Sequence, residues 1–273
     1  MTEKSSNLSP IMLTNENFVK ILKKIEVLTF EVNQLKEGKR ICFIKVLNKF
    51  KLINVSNCCD NKCVDNNKPN NFCTKGNGFV QLKNDTIIEY ISKRDDERIS
   101  KTVELISENY FKLNNNSELS QCCLNCTTYS LYYYEIKIQI QDNGWIGIGL
   151  KKDKDFAVSI WPMKESIYYL FQNKEDFISL PSFSFKNGDI CGCGLVYPPP
   201  KMTEKLPYIF FTINGNQIGK AILVKENYEY LQPYIILTSC SIEANFGKDL
   251  KNKPFIYDIT KHYVADEFEE INE

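Results

Sequence analysis

Tyr132-Tyr-Tyr-Glu-Ile-Lys-Ile-Gln-Ile140, followed at once by Gly144-Trp-Ile-Gly-Ile-Gly149, decides the fold class of this chain. In the first run Tyr134, Ile136, Ile138 and Ile140 fall on one side, and Glu135, Lys137 and Gln139 on the other. That period of two is the signature of a half-buried strand. In the second run glycines separate apolar residues, as where another backbone approaches a strand closely. Two further segments repeat the theme. Phe185-Lys-Asn-Gly-Asp-Ile-Cys-Gly-Cys-Gly194 reads as a turn leading into a strand. Ile209-Phe-Phe-Thr-Ile-Asn-Gly215 with Gln217 to Leu223 reads as a hairpin around Asn214-Gly215-Asn216.

Working outward, Phe79 to Leu82, Ile87 to Ile91, Lys101 to Ile106, Ile167 to Phe171, Leu231 to Thr238 and Ser241 to Phe246 add strands separated by turn-forming residues. The expected fold is all-β, a bent antiparallel β-sandwich over residues 76–264. Upstream, residues 1–15 are polar and expected to be disordered. Phe18, Ile21, Ile25, Leu28, Val32 and Leu35 keep a heptad spacing, which predicts an amphipathic helix over 16–37. Two partners are open to that seam: the sandwich of the same chain, which is favoured, or a second copy in a short coiled coil. Residues 38–75 are a Cys-rich connection, of which 41–55 read as helix or strand. Residues 265–273 are an acidic tail expected to fray.

Composition narrows the function. The chain has 273 residues, with 34 Lys+Arg against 34 Asp+Glu. That balance speaks against a nucleic-acid partner, which needs a basic face. No run of about 18 apolar residues points to a membrane span, and the polar start lacks a signal-peptide core. The expected compartment is cytoplasmic, with a secreted form as the alternative. Eleven cysteines cannot all pair within one chain. Cys59, Cys63, Cys123 and Cys126, with Cys58, Cys73 and Cys122 beside them, have ligand-like spacing for a structural zinc; disulfides and plain reduced thiols are the other readings, and no cofactor is favoured. Cys191, Cys193 and Cys240 are expected to pack as small apolar groups. His262 is the single histidine and reads as a surface residue after the last strand. No acid–base constellation stands out, so catalytic residues are expected to be none. Trp145 reads as core, and Trp161, beside Pro162, as an exposed anchor.

The order of these segments, continued by Leu231-Gln-Pro-Tyr234, Glu243-Ala-Asn-Phe-Gly247 and Pro254-Phe-Ile-Tyr-Asp258, resembles the SPRY (B30.2-type) domain, closest in flavour to that of Ran-binding scaffold proteins. The resemblance spans about residues 76–264 and departs at Ile160 to Glu175, where the family's Gly-, His- and Asp-rich stretch is missing. It implies an adaptor or scaffold that binds a partner protein or peptide through loops at one end of the sandwich; the alternatives are a secreted effector of the same fold stabilised by disulfides and, with only the cysteines behind it, a metal-dependent or thiol enzyme. By resemblance those loops are Asp153 to Trp161 and Thr238 to Ser241, which places Asp155, Phe156, Ser159, Trp161, Thr238, Ser239 and Cys240 at the site; Pro198 to Pro207, Pro-rich and between two strands, reads as a rim. The expected oligomeric state is a monomer or a weak homodimer through the N-terminal helix.

Overall fold

The computed structural model describes residues 18–22, 24–25, 28–29, 38–52, 58–61, 73–95, 99–113, 127–180, 183, 185–225 and 229–269. Among them the chain forms the strands β1 (Lys39–Phe43), β2 (Phe50–Leu52), β3 (Phe79–Leu82), β4 (Ile87–Ile91), β5 (Val103–Ser107), β6 (Phe111–Lys112), β7 (Thr127–Lys152), β8 (Phe156–Trp161), β9 (Ser166–Phe171), β10 (Lys174–Ser179), β11 (Ile190–Tyr197), β12 (Tyr208–Ile213), β13 (Asn216–Leu223) and β14 (Tyr230–Asn245).

Two long strands make the sandwich. The 26-residue β7 and the 16-residue β14 pair antiparallel along both halves, and each passes from one sheet into the other. The register breaks between Thr238 and Cys240, opposite the residues between Ile140 and Trp145. Asp142 (φ 52°) and Ser239 (φ 51°) adopt left-handed backbone at this corner, the local bend expected of a bulge. On one side of it the sheet reads β2-β5-β14-β7-β8-β9-β10. On the other, the N-terminal half of β7 lies between β11 and β14, followed outward by β12 and β13 and by β4 and β3.

Alternation then fills the core as the sequence pattern requires. Tyr134, Ile136, Ile138, Ile146, Ile148 and Leu150 of β7 meet Leu231, Ile235, Leu237 and Ile242 of β14 in one buried cluster. Cys191, Cys193 and Cys240 lie inside it, as expected. The outer face of the second sheet carries a smaller cluster of Leu131, Tyr133, Tyr208 and Phe210, roofed by Phe255, Tyr257, Val264 and Phe268. Glu135 fastens this roof: its carboxylate accepts from Ile256 N (3.0 Å), Tyr257 N (2.9 Å) and the Tyr133 hydroxyl (3.1 Å).

Several expectations are corrected. The 38–75 segment is partly built into the sandwich, because β1 pairs parallel with β7 and β2 pairs with β5. The start of the acidic tail is tied down: Lys220 N donates to Glu269, Ala221 bridges Phe268, and Lys39 meets Asp266 at 2.9 Å. His262 is buried, 2% exposed, because the roof folds over it. The described residues 18–22, 24–25 and 28–29 are helical, but Phe18, Ile21, Ile25 and Leu28 are exposed, so the favoured dock onto the sandwich is absent there. Val32 and Leu35 lie outside the described residues, as do Cys63, Cys123 and Cys126 and residues 1–15.

Candidate functional site on an open sheet face

The first sheet has one face in the core and one uncovered by any described segment. Cross-strand partners share a face, so register alone lists what the open face presents. One row runs Tyr234, Gly149, Ser159, Tyr168, Phe177. The next row holds Ile236, Gly147, Trp161 and Ser166, and beyond it Thr238 pairs with Trp145. The glycines are where the sequence placed a close approach. A Cβ on Gly147 would lie 2.8 Å from Trp161 Nε1, and one on Gly149 only 1.8 Å from the Val158 carbonyl oxygen. The first glycine lets the Trp161 ring lie down on the sheet; the second lets β8 close against β7.

The aromatics therefore gather at one end of the face. The Trp145 and Trp161 rings stack at 5.0 Å and 14°. Trp161 also meets Tyr168 (6.0 Å) and, edge-on, Phe177 (6.1 Å, 85°), and Tyr168 meets Phe177 at 5.3 Å. Trp161 Nε1 donates to Ser159 Oγ at 2.9 Å, which fixes the ring's orientation. The Lys164 ammonium stands 4.5 Å over Trp161 and 5.7 Å over Phe177, within cation–π range. Phe177 is 48% exposed, and both tryptophans are half-buried. Beyond this cluster Lys151 covers Tyr234 at 4.6 Å and pairs with Glu104 at 3.3 Å. Burial, then the nearby Glu175, pushes the Tyr168 phenol up to about 12, so it stays a protonated donor.

Of the expected site residues, Ser159, Trp161 and Thr238 converge here around Trp145. The others do not. Asp155 sits in the turn between β7 and β8, about 20 Å along β8 from Trp161 at a strand's rise. Phe156 and Cys240 point into the core, and burial pushes the Cys240 thiol up to about 12. Ser239 is buried at the β14 bulge. Beyond the Asp153-Lys-Asp155 turn, the segments expected as loops are strands, β8 and the middle of β14. Trp145 was expected in the core; it lies on the open face because Ile146 and Ile148 take the inward positions. Tyr168 and Phe177 were missed. Alternation in Ile167-Tyr-Tyr-Leu-Phe171 already set Tyr168 opposite Ile167, whereas Lys174 to Ser179 carries no pattern that singles out Phe177.

Two clefts lie elsewhere. One of about 390 Å³ is bordered by Tyr129, Met202, Tyr208 and Phe268, and one of about 450 Å³ by Lys83, Glu89, Lys137 and Glu243. Met202, Glu204, Lys205 and Leu206 of the expected Pro198 to Pro207 rim line the first and Ser241 the second, but neither includes Asp155, Phe156, Ser159, Trp161, Thr238, Ser239 or Cys240. Among the described residues the thiols of Cys58, Cys59 and Cys73 gather at the base of the β3–β4 hairpin, so Cys59 has other described thiol neighbours than the zinc set read from spacing. No helix among the described residues is long and apolar enough to cross a membrane.

No family model matches the sequence, and no curated protein matches it. Solved structures with a similar fold include a human SPRY domain, at 16% identity, covering 63% of this chain and 97% of that one, with a TM-score of 0.41. They also include the Emp46p carbohydrate recognition domain in metal-free form (8% identity, 63% and 87% covered, TM-score 0.39) and the carbohydrate-binding module CBM66 of Bacillus subtilis (8%, 54% and 81%, TM-score 0.34).

Proposed function

We propose that this chain is a binding module of the adaptor or scaffold kind, which takes a partner protein or peptide on the aromatic end of the open sheet face. One observation carries the reading: the Trp145–Trp161 stack, ringed by Tyr168 and Phe177, is left uncovered by described segments of its own chain while rigid strands hold every member. Aromatic side chains supply large contact area at small entropic cost, and such anchors dominate interface energetics. The resemblance in motif order supports the same end of the molecule, since Trp161 and Thr238 belong to the two segments it implicates.

The test is affinity capture with the intact chain against Trp161→Ala and Phe177→Ala. Phe177→Ala removes an exposed ring and leaves the core intact, so it reads binding without a folding penalty. The expected loss is about 2 kcal/mol, some thirtyfold, for Trp161→Ala. Partners captured equally by the wild type and both folded variants refute the site. A glycan array whose signal disappears in both variants refutes the protein-partner reading and reassigns the face to sugars.

A further inference from the structure

Cys58, Cys59 and Cys73 are each buried, at 2%, 4% and 2% exposure, and their sulfurs all lie within 4.8 Å of one another. The Cys58 and Cys59 sulfurs are 3.9 Å apart. Two thiolates held about 2.3 Å from a common tetrahedral ion stand about 3.8 Å apart, so the spacing is that of ligands on one metal. Among the described residues, apart from these thiols, the cluster holds Phe79 with Ile91 packed against it, little apolar surface beside three inward thiols. The contrast with Cys191, Cys193 and Cys240, set singly among core aliphatics and aromatics, is plain.

The backbone around the sulfurs is shaped to hold them. Cys73-Thr-Lys-Gly76 closes a turn in which Gly76 N donates to Cys73 O (2.9 Å), and Gly76 takes φ +77°, which a larger residue resists. Arg94 N donates to Gly76 O (3.0 Å), which pins the turn to the segment after β4. Asn77 Nδ2 donates to Cys58 O (2.7 Å), so the two cysteine segments are joined beside the sulfurs. Residues 60–72 between them are mostly Asn, Asp and Lys and offer little apolar area to bury. A cross-link supplied by an ion is how small polar segments of this kind are held.

We propose that Cys58, Cys59 and Cys73 supply three thiolate ligands to a structural zinc ion that staples this segment to the base of the β3–β4 hairpin. Binding is balanced as three thiols losing three protons to solvent while three sulfur–zinc bonds form; nothing is oxidised or reduced.

The experiment is metal analysis of the intact chain, purified under reducing conditions without a metal-affinity tag. About one zinc per chain is expected, falling to background in Cys73→Ser and unchanged in Cys42→Ser, whose thiol lies in β1. To separate ligand loss from local unfolding in Cys73→Ser, cobalt(II) is also titrated into the chelated wild type. Thiolate-to-cobalt charge-transfer bands with strong visible d–d bands are expected, with proton release and an unchanged β circular dichroism spectrum. Absence of zinc after reconstitution, zinc retained by Cys73→Ser, a cobalt spectrum of oxygen ligation alone, or a peptide map with a disulfide between any two of the three cysteines each overturns the proposal.

Discussion

Acidification should loosen this protein through one residue, His262. Its ring is 2% exposed and lies flat on Phe210, with centroids 4.0 Å apart. Nδ1 faces the Tyr257 hydroxyl at 2.7 Å and Nε2 the Tyr208 hydroxyl at 3.2 Å; neither hydrogen-bond partner is a carboxylate. Burial therefore holds the ring well below its ordinary value of 6.5, at about 4. The unfolded chain takes up its proton near pH 6.5 and the folded chain near pH 4. The stabilising contribution is thus complete above pH 6.5, declines as pH falls through that window, and is gone below about 4. A gap of about 2.5 units corresponds to roughly 3 kcal/mol, or a melting temperature lower by about 6–12 °C for a domain of this size. Glu135, whose carboxyl is pushed up by burial against the pull of its hydrogen bonds, acts with the opposite sign. It and the remaining carboxylates are common to wild type and His262→Phe, so the difference between the two pH profiles isolates the histidine. The assay is urea unfolding of both proteins from pH 7.5 to 4. Wild type should lose about 3 kcal/mol relative to His262→Phe across that range. Parallel profiles, or a ring proton titrating near 6.5 by nuclear magnetic resonance, refute the reasoning.

Two further predictions concern the open face and the helix. Gly147→Val pushes a side chain into the Trp161 indole; tryptophan emission should shift to the red as the Trp145 stack opens, at a cost of about 1–3 kcal/mol, and an unchanged spectrum contradicts the packing described. Gly149→Ala meets backbone instead of a movable ring, so it should fail to fold where Gly147→Val still folds; equal melting curves for the two refute that distinction. Ile25→Asp with Leu28→Asp should leave the sandwich melting within about 2 °C of wild type, because the described seam residues are exposed, while abolishing a weak dimer in sedimentation; a marked fall in melting temperature would restore the intramolecular dock.

What the sequence showed and what it hid follow from how far each feature reaches. A period of two is local, so β7, β11, β12 and β14 were legible from their own residues, as was the Asn214-Gly215 hairpin. The corner where β7 and β14 change sheets was not, because it depends on matching residues 141–144 against Ser239, nearly a hundred positions away. That omission scattered the expected site residues. With Thr238 to Ser241 read as a loop, Ser239 and Cys240 join the site list, although the Cys240 thiol is also expected to pack; once the segment is a bulged strand, alternation sends Cys240 inward and leaves Thr238 on the face. The same logic applies to Trp145 and Trp161. Each was judged by its neighbours, one among apolar strand residues and one beside proline, yet the two rings stack because Gly147 gives Trp161 room to lie against the sheet. A tryptophan's exposure is set by what stands across the strand, so the aromatic end of the open face appears only when the register is known.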